Sequence, residues 1–370
     1  MVDWSPMRVS ELDTPAVVVD LDILERNLKE MAEYCSRHGL SLRPHTKTHK
    51  IPDIARMQVR SGARGITVAK MGEAELMVRE GFDDILIAYP LVGPLKLQRL
   101  IELTRKSRVA VSTDSLEVAE EIARAVRNAG TTVRLLAEMD AGLRRCGVQT
   151  TEELVALAQG MTKLPGVEFA GFMFFPGQIR VSPPEQIPIL EAIDARLREA
   201  QERLFRSGVE VRAVSGGSTP TAYQSHHMKT VTEIRPGTYV FNDMNTASIG
   251  ATDTAHCALT VHVTVVSLAV KGRAIIDGGS KTFSSDPLRG GEGPGYGLLP
   301  DHPEVILEAM SEEHGHLNIQ ASPHRFKIGE RLRFIPNHVC TTVNMHNEIW
   351  GARGEDVVEH WKVDGRGLVR

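Results

Sequence analysis

Two short segments carry side chains that can do chemistry together. The first is Arg43-Pro44-His45-Thr46-Lys47-Thr48-His49-Lys50. Read as a strand end, its alternation puts His45, Lys47 and His49 on one face and Thr46 and Thr48 on the other. Cationic neighbours and burial both lower the pKa of a lysine, which favours the free amine that a Schiff base needs. A solvated basic turn is the plainer interpretation of the same residues. The second segment is Pro336-Asn337-His338-Val339-Cys340. Residues i and i+2 of a strand share a side, so His338 and Cys340 can ligate one metal ion, and imidazole with thiolate suits Zn²⁺. Two ligands leave the other positions to substrate oxygens and water, which describes a catalytic metal better than a structural one. The bland alternative is a buried strand with an inert cysteine and a hydrogen-bonded histidine. His314 and His346 read as polar-network residues.

Two further segments suit an anion. Ser215-Gly216-Gly217-Ser218-Thr219-Pro220-Thr221 combines small residues, which let the backbone approach a ligand, with hydroxyl donors. Arg235-Pro236-Gly237-Thr238 again places a glycine beside exposed amides. Together the loops make a phosphate cup; taken singly, each reads as an ordinary turn.

The elements that must position these residues are legible from periodicity. From about residue 42 to 245, short β-branched runs alternate with amphipathic segments, the pattern of parallel strands joined by helices. Eight strands are expected, at 43–47, 65–70, 84–89, 109–114, 134–140, 168–175, 211–217 and 232–241. Helices are expected over 72–80, 115–129 and 187–207 among others. Eight such repeats define an α/β fold of the (β/α)₈ TIM-barrel type, whose active groups come from the C-terminal ends of the strands. Residues 256–282 and 326–370 alternate apolar and polar residues as antiparallel strands do. The opening TPAVVVDLDILERNLKEM reads as a strand and a helix capped by Asp22, with Glu25 placed for a return contact. The expected division is therefore a barrel over 22–245 and a mainly antiparallel β-domain from 1–21 plus 246–370, the latter carrying the metal ligands.

Composition bounds the partners. The 43 Lys and Arg against 47 Asp and Glu give a net charge of −4, with no basic field for a nucleic acid. No apolar stretch reaches the roughly 18 residues that cross a bilayer, so no membrane partner is expected. The segment MVDWSPMRVSELDTP has no basic stretch followed by an apolar core, so a cytoplasmic location is expected. Cys35, Cys146, Cys257 and Cys340 are widely spaced, which argues against a disulfide framework.

The ordered motifs TPxxVxDLDxLExN, RPHxKTHK, DxGxxRxG, GGSTPT, TEIRPGTYVF and PNHxC span nearly the whole chain. In them the sequence resembles the D-serine dehydratase and D-threonine aldolase family, pyridoxal 5'-phosphate (PLP) lyases on the alanine-racemase-like fold. The resemblance implies that Lys47 carries PLP, that His45 and Arg145 lie beside the cofactor, and that Ser218, Thr219, Gly237 and Thr238 contact its phosphate. It places Arg235 where alanine racemases set an arginine against the pyridine nitrogen, which weakens the cofactor as an electron sink and makes a metal useful. His338 and Cys340 match the metal ligands of the dehydratase branch, Zn²⁺ first, with Mn²⁺ or Mg²⁺ as alternatives. Lys47 would then act as base at Cα of a D-3-hydroxy amino acid while the metal binds its hydroxyl. Loss of the hydroxyl gives a 2-oxo acid and ammonia; removal of its proton instead gives glycine and an aldehyde. The aldolases show His-x-Asp where this chain has His338-Val339-Cys340, and a GGGTGS-like loop where it has GGSTPT. Phe174-Phe175-Pro176-Gly177-Gln178 also lacks the aldolases' Tyr-His pair. Dehydration is thus the leading expectation and retro-aldol cleavage the alternative. A racemase using Tyr296, or a non-catalytic PLP-binding protein, follow behind, and a homodimer is expected by analogy of shape.

Overall fold

The computed structural model describes residues 7–289 and 295–370. The first six residues, where the expected β-domain begins, lie outside the described residues. The chain forms two compact units, one of residues 1–30, 48–53 and 238–366 and one of residues 31–47, 54–237 and 367–370. The sequence division at 22 and 245 differs from this grouping mainly in the first helix, which is shared, and in residues 48–53.

The second unit holds eight parallel strands: Ser41–Leu42, Ile66–Val68, Asp84–Ile87, Arg108–Thr113, Val133–Met139, Val167–Phe174, Ala213–Gly216 and Glu233–Ile234. Each neighbours the next, the eighth pairs with the first, and a parallel bridge from His45 to Thr67 joins the first to the second. The barrel closes. Helices Met71–Arg79, Pro94–Thr104, Leu116–Asn128, Thr151–Met161 and Pro183–Arg206 alternate with the strands. Their starts are written locally: Thr150 and Glu153 form a reciprocal cap, and Ser115 accepts from the Val118 amide.

Six strands lie within or close to their expected ranges, while the first and last are shorter than expected. RPHTK is not a strand. Pairing ends at Leu42, and Thr46–Thr48 winds into a 3₁₀ turn. At the other end Pro236 has no N–H to donate, and only Glu233 and Ile234 pair.

The lumen is layered. Leu86, Ala110, Leu136 and Met173 form its apolar middle. At the strand starts below lies a buried polar group: Arg43 donates to Glu233 Oε2 at 2.8 Å and to Asp84 Oδ1 at 2.9 Å, and Arg134 reaches the same Asp84 oxygen at 2.7 Å. Two arginines face two carboxylates, so this layer is neutral.

The first unit is a ten-stranded, mainly antiparallel sheet. Its order runs Met7–Arg8, Asp356–Lys362, Glu348–Arg353, Ala16–Asp20, Leu259–Ser267, Arg273–Ile276, Gly315–Asn318, Ile306–Met310, Gly297–Leu298 and Arg331–Pro336, and the last pairs back onto Leu259–Ser267. Among the described residues, only Ala16–Asp20 with Glu348–Arg353 is parallel in this sheet. The helix that follows is capped by Asp20, not Asp22: Asp20 Oδ1 accepts from the amides of Asp22 and Ile23 at 3.0 Å each. Asp22 and Glu25 instead pair with Arg353. The cap sits two residues earlier because the strand runs straight into the helix.

Candidate active site

At the C-terminal end of the barrel, Lys47 is placed by clamps on the residues before it. Thr67 N donates to Pro44 O at 2.8 Å, His45 N to Pro236 O at 3.0 Å and Thr46 Oγ1 to Thr67 O at 3.1 Å. The segment is thus held by the second and eighth strands at once. The Lys47 amide donates to His45 Nδ1 at 3.4 Å, a long bond that makes Nδ1 an acceptor. Burial, then Lys47, Arg235 and Arg145, hold the His45 imidazole well below its usual pKa, so it is neutral.

His49 does not join this face, contrary to the alternation expected of a strand. The 3₁₀ turn breaks the period of two, and His49 is fully buried in the other unit, edge-on to Phe241, with Nδ1 accepting from the Ile51 amide at 3.0 Å.

Arg145 stands in a loop shaped by its own motif. Asp140 Oδ1 accepts from the amides of Gly142 and Arg144, and the Gly147 amide donates to Asp114 Oδ2 at 2.8 Å. Gly147 has φ +106°, and a Cβ there would lie 2.3 Å from the Asp140 nitrogen, so only glycine fits. Arg145 and Lys47 share one aromatic ring: the guanidinium carbon is 5.0 Å and Lys47 Nζ 5.8 Å from the centroid of Phe175.

Arg235 is buried, donating from Nη1 to Ser215 Oγ at 2.7 Å and from Nη2 to Phe174 O at 2.9 Å. Burial pushes it down to about 10, against the pull of Glu233 and Glu138, and it stays charged. The two glycine loops do meet: Gly237 N donates to Thr219 Oγ1 at 3.1 Å, and Ser218 Oγ lies 3.1 Å from Thr221 Oγ1. Thr238 falls in the other unit, where it opens a 3₁₀ turn.

Glu138 was not singled out by sequence reasoning. It is 3 % exposed and pairs in register with Met173 of the lumen, which alternation along RLLAEMD could have shown. Burial pushes its pKa up, while Arg235 and Arg145 pull it down. Glu138 thus stands among charges of both signs, Arg235 and Arg145 pulling its pKa down and Asp114 pushing it up. Lys47, Arg145 and Arg235 gather around neutral His45 at this end of the lumen, and cations beside glycine-rich loop amides fit an anionic, phosphate-bearing cofactor.

In the first unit, His338 and Cys340 are not on a strand. Arg331–Pro336 ends two residues earlier, and His338 caps the helix Val339–Met345. The pair still meets, because both belong to one helical turn. Asp243, fully buried, accepts from His338 Nδ1 at 3.0 Å and from the Val339 amide at 3.2 Å. One carboxylate thus fixes the helix start and, through Nδ1, the imidazole together. Cys340 Sγ lies 3.4 Å from Thr48 Oγ1. Burial works against the charged imidazole, but Cys340 and Asp243 outweigh it and push His338 up to about 11. Among the described residues no group of three or more His, Cys, Asp or Glu is arranged to hold a metal. A two-ligand set with a soft thiolate and an oriented imidazole fits an open metal position. His314 is exposed, and His346 Nε2 bonds Thr282 O at 3.1 Å within a buried polar network.

A closed parallel barrel with a separate antiparallel β unit, a lysine at the end of the first strand and an anion-seeking mouth define the alanine-racemase-like fold. Residues 19–244 match the family described as alanine racemase, N-terminal domain, and residues 258–351 the putative serine dehydratase domain. D-threonine aldolase of Arthrobacter sp is 32% identical over 98% of this chain and 95% of its own. The solved D-threonine aldolase of Filomicrobium marinum is 31% identical, covers 99% of this chain and 98% of that one, and has a TM-score of 0.92. A cysteine-to-alanine mutant of D-threo-3-hydroxyaspartate dehydratase, solved in the metal-free form, is 32% identical over 96% and 98% of the two chains, with a TM-score of 0.87. The chain belongs to the D-serine dehydratase and D-threonine aldolase family of PLP-dependent lyases. Among the described residues, no helix is long and apolar enough to cross a membrane.

Proposed function

We propose that this lyase acts on D-3-hydroxy amino acids with PLP and a divalent metal, removing water to leave a 2-oxo acid and ammonia. The observation that carries the reading is the His338–Cys340 pair on one helical turn, with the imidazole oriented by Asp243. When bound, PLP supplies a sink for the charge left at Cα, and the metal, Zn²⁺ first, a Lewis acid for the 3-hydroxyl. Lys47 Nζ anchors the cofactor and then takes the Cα proton. Arg235, which stays charged, would meet the pyridine nitrogen and keep it unprotonated. Arg145 and neutral His45 would lie beside the ring, and Ser218, Thr219, Gly237 and Thr238 would contact the phosphate. His338 and Cys340 would hold the metal and, through it, the hydroxyl that leaves.

Retro-aldol cleavage to glycine and an aldehyde is the second reading, favoured by the end-to-end likeness to D-threonine aldolases. A homodimer and a cytoplasmic location complete the reading. Incubation with D-serine, D-threonine and 3-hydroxy-D-aspartate, with and without EDTA, should yield EDTA-sensitive 2-oxo acid. Glycine and aldehyde in its place would select the second reading, and no product from any substrate would sink both.

A further inference from the structure

The lumen of the barrel holds a continuous polar chain that runs from the neutral layer at the strand starts to Arg235. Asp84 Oδ1 accepts from Arg43 Nη1 at 2.9 Å, Glu233 Oε2 from Arg43 Nε at 2.8 Å, Glu233 Oε1 from Ser215 Oγ at 2.6 Å, and Ser215 Oγ from Arg235 Nη1 at 2.7 Å. Every member is buried.

The directions in this chain are fixed by proton count. A serine hydroxyl has one proton. Ser215 gives it to the Glu233 carboxylate, so towards Arg235 it can only accept. Glu233 cannot turn to meet Arg235 itself, because its other oxygen is held by Arg43, which Asp84 holds in turn. On its far side Arg235 is tied to Phe174 O at 2.9 Å. A guanidinium pinned at both terminal nitrogens, in a buried site, presents one geometry to whatever lies beyond it.

We propose that Ser215 and Glu233 are positioning residues: they lock Arg235 in the orientation that meets the cofactor ring. The inference rests on the reading of Arg235 as the ring-nitrogen contact. It assigns to Ser215 a duty separate from the phosphate contacts of the loop that begins three residues later.

The test compares wild type, Ser215→Ala, Ser215→Thr, Arg235→Ala and the double variant Ser215→Ala with Arg235→Ala, each checked for folding by circular dichroism. Ser215→Ala should shift the visible absorption maximum of the bound cofactor, weaken PLP binding by about tenfold, and lower kcat more than it changes KM. Ser215→Thr, which keeps the hydroxyl, should restore all three to within about twofold of wild type. In the Arg235→Ala background, removing the Ser215 hydroxyl should change neither spectrum nor PLP affinity further. A Ser215→Ala protein indistinguishable from wild type, or one with the same shift whether or not Arg235 is present, overturns the relay. Should Ser215→Ala fail to fold, Glu233→Gln on the same spectrum and affinity measurements, with and without Arg235, decides in its place. Borohydride reduction of wild type with PLP, followed by peptide mapping, separates the two levels: a labelled Lys47 with a silent Ser215 sinks the relay alone, and an unlabelled Lys47 sinks the cofactor reading with it.

Discussion

The two polar ends of the barrel lumen use the same residue types to opposite purposes. At the strand starts, Arg43 and Arg134 face Asp84 and Glu233 in short ion pairs. At the strand ends, Lys47, Arg145 and Arg235 gather around the neutral imidazole of His45. A balanced set of buried charges needs nothing more and serves the fold. The mouth instead sets Arg235 against a serine hydroxyl and a main-chain carbonyl, and its cations around a neutral imidazole. What separates a structural network from a candidate binding site here is what the cations meet, because burial and residue type are alike.

That contrast can be broken from either end. Lys47→Ala should abolish the visible absorption of bound cofactor and lower turnover by roughly 10³-fold or more, with little change in unfolding midpoint. A variant that keeps colour and activity would remove the mouth from consideration. Arg43→Met should act the other way round, costing about 3–5 kcal/mol in urea unfolding because Asp84 and Glu233 lose their shared partner. In the β unit, Asp243→Asn keeps the shape but removes the charge behind His338; metal affinity by titration should fall about 10–100-fold. The smallest effect is one of pH. Burial, with Arg331 and Arg333 nearby, holds His262 at about 4. A histidine neutral in the fold but protonated in the unfolded chain stabilises above its unfolded pKa and loses that contribution as pH falls from about 6.5 towards 4. Unfolding measured over this window should steepen by up to about 1 kcal/mol per pH unit in wild type relative to His262→Gln.

Much of this was legible in the sequence. The β-branched runs located six of the eight barrel strands closely because a buried parallel strand has to be apolar on both faces, and that leaves a trace in composition. The DxGxxRxG loop could be read as a unit, and its reason is now visible in Asp140 and Gly147. The two segments that carry the chemistry were the ones misread locally. RPHTK and PNHVC look like strands by alternation, yet one is a 3₁₀ turn and the other a helix start. Both lie just past the last ladder hydrogen bond, where pairing no longer enforces a period of two and tertiary clamps decide the backbone. His49 was lost from the site for that reason, whereas His338 and Cys340 stayed together because one helical turn also brings them close. Glu138 escaped notice, and Ser215 was read only as part of a phosphate loop, because a polar residue inside an apolar run shows its partners only once the barrel is closed.

The borders between the two units have a consequence for recombination. The chain leaves the barrel unit after Lys47 and again after Gly237, entering the other unit at Thr48 and at Thr238. Exchanging a whole unit between relatives would place a crossover beside the lysine and another inside the phosphate loop. Shuffled genes should therefore yield working chimaeras only when the breakpoints are moved into the barrel helices, so that RPHTKTHK and RPGT are each inherited from a single parent.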